Sequence, residues 1–300
     1  MLTIYRSNKA EWLAEILGQE LQLNPPAITE EVDIIVSNWP SSRWLSEKLS
    51  IINNINALVR YPFPGTYLKR LVKRIIGIDP NEKDPWEKNH LAWNILELLP
   101  ELMKEEEAKI IRNWLKNSEI ENEQINLNLW DLANNIAEIF DEYILYRPEI
   151  IKQWLSKKTR KNPREYSFDK NSLWQEKLFN LLYIRINQDP FCIQAEKAIE
   201  LLKKNDISKL SYPKNLYIYG ISTLAPLQID LIQAFSKLIN IKVYLISPCN
   251  DLWQRCEARR LQFRNTWNTP PDRQWLLESP RLEAFLGRMG AEYQQLLEGS

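Results

Sequence analysis

The sequence predicts an α/β protein, a parallel sheet interrupted by a large α-helical insertion. The prediction rests first on the stretch from Asn215 to Gln228, Asn-Leu-Tyr-Ile-Tyr-Gly-Ile-Ser-Thr-Leu-Ala-Pro-Leu-Gln. Leu216 to Tyr219 is an apolar run rich in β-formers, Gly220 breaks it, and Pro226 opens a helical pattern through Asn240. A second apolar run, Lys242 to Ile246, follows at once. Strand, helix and strand at this spacing form a βαβ unit, whose strands are parallel and covered on both faces. Second, residues 1–65 alternate β-rich runs with helical periodicity. Third, from Thr66 to about Ile207 the strand signals fade and helical patterns take over. Ligands of such sheets sit beyond the carboxyl ends of the strands, which directs attention to Gly220–Leu224.

Taken in order, Thr3–Arg6 is the first strand, and Ser7 or Asn8 caps the helix that follows. Trp12, Leu13, Ile16, Leu17 and Leu21 recur at helical spacing until Asn24-Pro-Pro ends the pattern. Val32–Val36 is a second strand, with Asp33 its one polar residue. Ser37 to Ser42 is a turn and cap, and Trp44, Leu45, Leu49, Ile51 and Ile52 make the next helix. Ala57–Pro64 reads as a short third strand. The helical patterns of the insertion are Tyr67–Ile76, Trp86–Leu99, Lys104–Leu115, Asn128–Leu145, Glu149–Leu155, Leu173–Ile186 and Ile193–Lys204, punctuated by Asp-Pro, Arg-Pro and Asn-Pro pairs. Trp86, Trp93, Trp114 and Trp130 are spaced as helix core. After Ile246 the chain turns aromatic and basic, with Trp253, Arg255, Arg259, Arg260, Phe263, Arg264, Trp267 and Trp275, and Leu282–Leu297 again looks helical. The expected organisation is an α/β domain from residues 1–65 and 208–300, with 66–207 inserted as a helical domain.

Composition narrows the function. Of the 300 residues, 39 are Lys or Arg and 39 are Asp or Glu, so any nucleic-acid site must draw on local rather than net positive charge. Twelve Trp and twelve Tyr against seven Gly favour large packed side chains over Gly-built phosphate loops. No apolar run reaches the ~18 residues of a membrane span. Met-Leu-Thr-Ile-Tyr-Arg lacks the layout of a signal peptide, and three cysteines at no metal spacing fit a reducing cytoplasm. With one histidine and no nucleophile–base pair, neither a catalytic nor a metal site is expected, and no cofactor.

An α/β domain with a helical insertion is the layout of the first motor domain of superfamily 1 helicases, a P-loop fold. Its ATPase needs a Gly-rich loop after the first strand, where backbone N–H groups and a Lys meet the phosphates. Ser7-Asn8-Lys9 stands there instead. It also needs an Asp at the end of a central strand to hold Mg²⁺, and Leu216–Tyr219 ends in Tyr219-Gly220. The expected fold is therefore helicase-like and inactivated.

The blocks Met1–Asn8, Ile35-Val36 through Arg43-Trp44-Leu45, Tyr61-Pro-Phe-Pro-Gly-Thr-Tyr, Phe140-Asp-Glu-Tyr-Ile-Leu-Tyr-Arg-Pro, Leu173-Trp174, Tyr217-Ile-Tyr-Gly-Ile-Ser and Ser247-Pro-Cys run through nearly the whole chain. In these blocks the sequence resembles the N-terminal part of the RecC family, the gamma subunits of the RecBCD helicase–nuclease (exodeoxyribonuclease V). Members of that family are several times longer, and their nuclease-like C-terminal domain has no counterpart here. The resemblance implies a helicase-shaped subunit that has lost its ATPase. It implies partners too: RecB-like and RecD-like subunits in a heterotrimer, and forked and single-stranded DNA. The unwound 3′-ended strand is threaded through a channel and scanned for a recombination hot spot, Chi.

The residues offer two candidate strand contacts. The first is Phe140–Pro148: on a helix, Glu138, Asp141, Glu142 and Tyr143 lie close together, and Arg147 closes the segment just before Pro148. Carboxylates accept from base amino groups, and Arg forks to a guanine edge or a phosphate. Without a strand, the same residues are an acidic face with Arg147 paired to Asp141 or capping the helix end. Ser37–Arg43 with Phe63 is the second: Trp39 and Phe63 can stack on bases and Arg43 can take a phosphate, or the aromatics are packing residues. The resemblance implies that Glu138, Ile139, Asp141 and Arg147 line the channel, as do Ser37, Trp39, Arg43, Phe63 and Lys69. Lys69 departs from the family, standing where the best-known member has an aromatic, and an Arg that helps reading near Phe191 has no clear counterpart. Basic runs (Lys69, Arg70, Lys73, Arg74; Lys152 to Arg164; Arg255 to Arg264) suit a strand-tracking groove or a solvated face. The competing expectation is a scaffold that docks helicase subunits without touching the strand.

Overall fold

The structure is a computed structural model, and it describes residues 1–27, 29–117, 122–156, 173–204, 213–247, 290, 293–294 and 296–297. Among them are five strands and ten α-helices. The chain forms two compact units, Met1–Ile75 with Ile199–Ser300, and Ile76–Ala198. The first holds a parallel sheet in the order β1-β5-β4-β2-β3.

Strand β1 is Leu2–Ser7, and helix α1 is Ala10–Leu23. The expected Ser7 or Asn8 cap is not formed. Lys9 is the N-cap, and Ser7 Oγ accepts from the Lys9 N–H at 3.1 Å, a local turn that moves the helix start along the chain. Leu13, Ala14, Leu17, Gly18 and Leu21 form the buried stripe of α1, whereas Trp12 and Ile16 are exposed. Strand β2 (Val32–Val36) leads into α2 (Trp39–Asn53), capped by Asn38, whose Oδ1 accepts from Ser41 N at 2.9 Å. Gly18 is where α1 and α2 meet: a Cβ there would lie 2.7 Å from Ile52 Cγ2.

Strand β3 is only Val59–Arg60, shorter than the Ala57–Pro64 expected. Leu58 sits at φ +58°, and Pro62 and Pro64 lack the N–H a ladder needs. Helix α3 therefore starts early, at Pro64, and ends at Ile75. Asp33, the polar exception in β2, is explained by its neighbour: it lies opposite Arg60 of β3 and accepts from Nε at 2.8 Å and from the other fork at 3.0 Å. That hydrogen bond, more than the neighbouring negative charge, raises the Arg60 pKa.

Strand β4 (Asn215–Tyr219), helix α10 (Pro226–Phe235) and strand β5 (Asn240–Ile246) give the βαβ unit expected, with α10 ending sooner than the pattern suggested. The two faces of the sheet carry different helices. Leu13, Leu17, Leu45 and Leu49 of α1 and α2 share one core with Ile34, Val36, Tyr217, Tyr219 and Tyr244. Tyr67 of α3 lies against Asp33 on the opposite face, and α10 packs on α3. Connections from β1 and β2 run one way along the sheet and the connection from β4 runs the other, so right-handed crossovers place their helices on opposite faces.

The second unit contains α4 (Lys88–Leu102), α5 (Lys109–Asn117), α6 (Asn122–Tyr146), α7 (Pro148–Leu155), α8 (Leu173–Ile186) and the start of α9 (Phe191–Lys203). Its aromatic core joins Trp86, Phe140, Trp154 and Phe179, with ring centroids 5.0–6.0 Å apart. Of the four tryptophans expected as helix core, Trp86 is buried but sits in the turn before α4, Trp130 is half-buried on α6, and Trp93 and Trp114 are exposed. Helix α4 buries Leu91, Ala92, Ile95, Leu98, Leu99 and Leu102, and Trp93 stands off that stripe. It pairs with Trp130 instead, 4.6 Å between centroids.

Asp189 braces the α8–α9 turn, accepting from Tyr183 Oη at 2.8 Å and pairing with Lys197. Burial acts to raise its pKa, but the hydrogen bonds from Lys197 and Tyr183 and the Lys197 charge outweigh it and hold the carboxyl below its ordinary value. A depressed folded-state pKa stabilises above the unfolded value, near 4, and that contribution is lost as pH falls through the folded value. Asp189→Asn is therefore expected to lower the Tm at pH 7, with the gap to the parent closing below about pH 4. A gap that persists at pH 2 would assign the loss to packing.

The basic residues Lys157, Lys158, Arg160, Lys161 and Arg164, the aromatic and basic stretch from Trp253 to Trp275, and Cys249 and Cys256 lie outside the described residues. Of the expected helix Leu282–Leu297, positions 290, 293, 294, 296 and 297 are described, and they are helical. Cys192 is buried, and burial pushes its thiol up to about 12.

Candidate nucleic-acid interface

All five strands are parallel, so their carboxyl ends share one edge of the sheet. The direction of winding reverses between β2 and β4, paired through Val36 and Tyr219. A reversal of this kind opens a crevice beyond the strand ends, the place where α/β sheets take ligands.

Ser37 follows β2 and is exposed, its Oγ accepting from Asn38 Nδ2 at 3.1 Å. Trp39 opens α2 and stands 68% exposed. Phe63 leaves β3 half-buried against the sheet core. The two rings meet edge to face, 5.5 Å between centroids. Val36 N–H donates to Pro62 O at 3.2 Å, which ties the Phe63 segment to the end of β2. Arg43 is exposed one turn into α2, and among the described residues its guanidinium has no partner. Lys69, in the second turn of α3, is half-buried and engaged by its neighbours. Lys73 is buried, so the basic run on α3 is not one solvated face.

In the helical unit, Phe140 and Ile144 hold α6 in the core and turn Glu138 and Ile139 outward. Glu138 pairs with Lys88 of α4 at 2.7 Å. Asp141 is half-buried and has a partner. Arg147 is the N-cap of α7, its N–H donating to Tyr143 O at 2.9 Å, and its guanidinium is exposed. No ion pair joins it to Asp141 among the described residues, and α6 ends at Tyr146, just ahead of Arg147-Pro148.

An aromatic row crosses the sheet just inside the strand ends, and sequence reasoning missed it. Tyr5 stacks on Tyr244 at 5.0 Å, Tyr244 meets Tyr219 at 6.2 Å, and Tyr219 meets Trp44 at 6.2 Å. The Tyr219 hydroxyl donates to Ala10 O at 2.6 Å, closing the end of β4 onto the first residue of α1. Burial, more than the nearby Glu11 charge, pushes the Tyr219 phenol well above its ordinary pKa. The signal was legible only as identical residue types at paired register positions, which single strands do not reveal. Among the described residues no cluster of three metal-ligating side chains occurs, and no helix is long and apolar enough to cross a membrane.

The model of the RecC N-terminal domain family matches residues 2–300. The chain belongs to the RecC N-terminal domain family. The protein named RecBCD enzyme subunit RecC in Haemophilus influenzae is 27% identical over 283 residues, covering 88% of this chain and 25% of that protein. Its namesake in Escherichia coli K12 is 27% identical over 261 residues, 84% of this chain and 22% of that protein. The one in Mycolicibacterium smegmatis is 25% identical over 263 residues, 86% and 22%. The chain thus spans about a quarter of the length of these RecC relatives.

Proposed function

We propose that this chain is the strand-guiding front of a RecC-like subunit of a RecBCD helicase–exonuclease. It holds the unwound 3′-ended strand, takes part in recognising Chi, and performs no catalysis itself. The sheet unit, Met1–Ile75 with Ile199–Ser300, is read as an inactivated 1A-like helicase domain and the helical unit, Ile76–Ala198, as its 1B-like insertion. The observation that carries the reading is the exposed Trp39 set edge-on to Phe63, at the ligand edge of the sheet, with Arg43, which has no partner among the described residues, close by in sequence on α2. Aromatic faces take unpaired bases and a free guanidinium takes the backbone. Loss of the ATPase is supported by Tyr219, which ends β4 where a Mg²⁺ carboxylate belongs and whose hydroxyl is spent on Ala10 O. Glu138, Ile139, Asp141 and Arg147 supply further contacts from the helical unit. Partner subunits follow from the relatives being RecC subunits of a RecBCD enzyme, and a cytoplasmic setting from DNA as the substrate.

The test is titration of a fluorescent single-stranded oligonucleotide at two salt concentrations, with the partner subunits supplied. Salt-sensitive binding is expected, weakened about thirtyfold by Trp39→Ala with Arg43→Ala. Arg147→Ala, measured separately, is expected to weaken it a few-fold. The scaffold reading is favoured by the exposure of Trp93 and Trp114. It stands alone if the double variant binds as the parent does.

A further inference from the structure

We infer that Ser222 and Thr223 form an additional contact of the same site, holding a backbone phosphate of the strand whose bases rest on Trp39 and Phe63. This rests on the strand-binding reading and adds to it a contact from the opposite side of the crevice. Val36 and Tyr219 are register partners on neighbouring strands, so Ser37 and Gly220 leave the sheet side by side, about 5 Å apart by strand spacing. Gly220 adopts φ +64°, a conformation that L side chains rarely take, while its N–H stays anchored to Tyr244 O at 2.9 Å. The chain therefore turns sharply at the strand end.

Both ends of the loop are pinned. Ile221 and Ala225 are buried, and Ala225 N–H donates to Gln228 Oε1 at 3.1 Å. Between them Ser222 and Thr223 are exposed. Among the described residues neither their hydroxyls nor their backbone N–H groups make a hydrogen bond. Two hydroxyls and two N–H groups on a short, anchored segment suit a phosphate oxygen, and contacts of this type fix the position of a strand without reading its bases. Because these donors carry no charge, they displace no counterions from the DNA, unlike Arg43.

That difference supplies the test, made on the chain with its partner subunits and a fluorescent single-stranded oligonucleotide. Ser222→Ala with Thr223→Ala is expected to weaken binding about fivefold with the salt dependence unchanged. Ser222→Asp, which sets a carboxylate against the phosphate, is expected to weaken it more than tenfold. Arg43→Ala is expected to weaken binding and also to flatten the slope of log K against log salt by about 0.7. Both substituted residues are exposed, and circular dichroism of each variant checks that the fold is kept. Parent-like affinity in Ser222→Asp, with Trp39→Ala and Arg43→Ala impaired, overturns the loop contact and leaves the strand-binding reading intact. Parent-like affinity in all of them, or no binding by the parent, removes both.

Discussion

Tyr219→Ala is expected to destabilise the sheet unit by about 4 kcal/mol, the range for deleting a fully buried aromatic. Tyr219 is 2% exposed, lies between Trp44 and Tyr244, and its hydroxyl ties β4 to the start of α1. Truncation leaves a cavity flanked by two large rings that cannot collapse without shifting α2 or β5. Tyr219→Phe keeps the rings and loses the hydrogen bond, so it is expected to cost about 1 kcal/mol. Urea unfolding of the two variants gives the difference, and hydrogen exchange at the amides of β1 and β4 localises it. Equal losses in both variants would mean that the hydroxyl and not the ring row holds this edge. The same residue explains why a single Tyr219→Asp cannot restore a metal ligand: it would bury an unpaired carboxylate in an aromatic row.

Trp86→Ala is expected to cost about 4 kcal/mol in the helical unit. The indole is 1% exposed, stacks on Phe179 at 5.0 Å and donates its Nε1–H to Gln188 O at 2.9 Å. Substitution therefore removes a core volume and leaves the Gln188 carbonyl without that donor. Trp93→Ala serves as the control, because Trp93 is 58% exposed and its ring is half in solvent. It is expected to cost about 1 kcal/mol, the worth of an aromatic pair, through lost contact with Trp130. If the two substitutions cost the same, burial is not what distinguishes these tryptophans.

The contrast between Trp86 and Trp93 marks where the sequence stops being informative. Helical periodicity shows that an apolar stripe exists, but Trp93 lies one residue from Ala92, and the rotation separating a core position from a solvent position is decided by which neighbours the helix meets. The β3 segment fails for a related reason. Val59 and Arg60 pair with β2, but Pro62 and Pro64 end the ladder, and the extent of pairing depends on the partner strand. The partner of Glu138 was equally hidden: only the packing of α6 on α4 brings it to Lys88.

By itself the sequence determined the parallel α/β class, the helical character of the stretch after Thr66, the lack of a Gly-rich loop after β1 and the family. These are local properties: side-chain period, turn residues and motif order are written along the chain and need no neighbour to be read. Only the tertiary structure decided that Trp39 meets Phe63, that the loops after β2 and β4 leave the sheet together, and that four aromatic residues close the strand ends. Those facts depend on strand order and register, which arise when distant segments bury their faces against one another. No single segment carries the record of its partner.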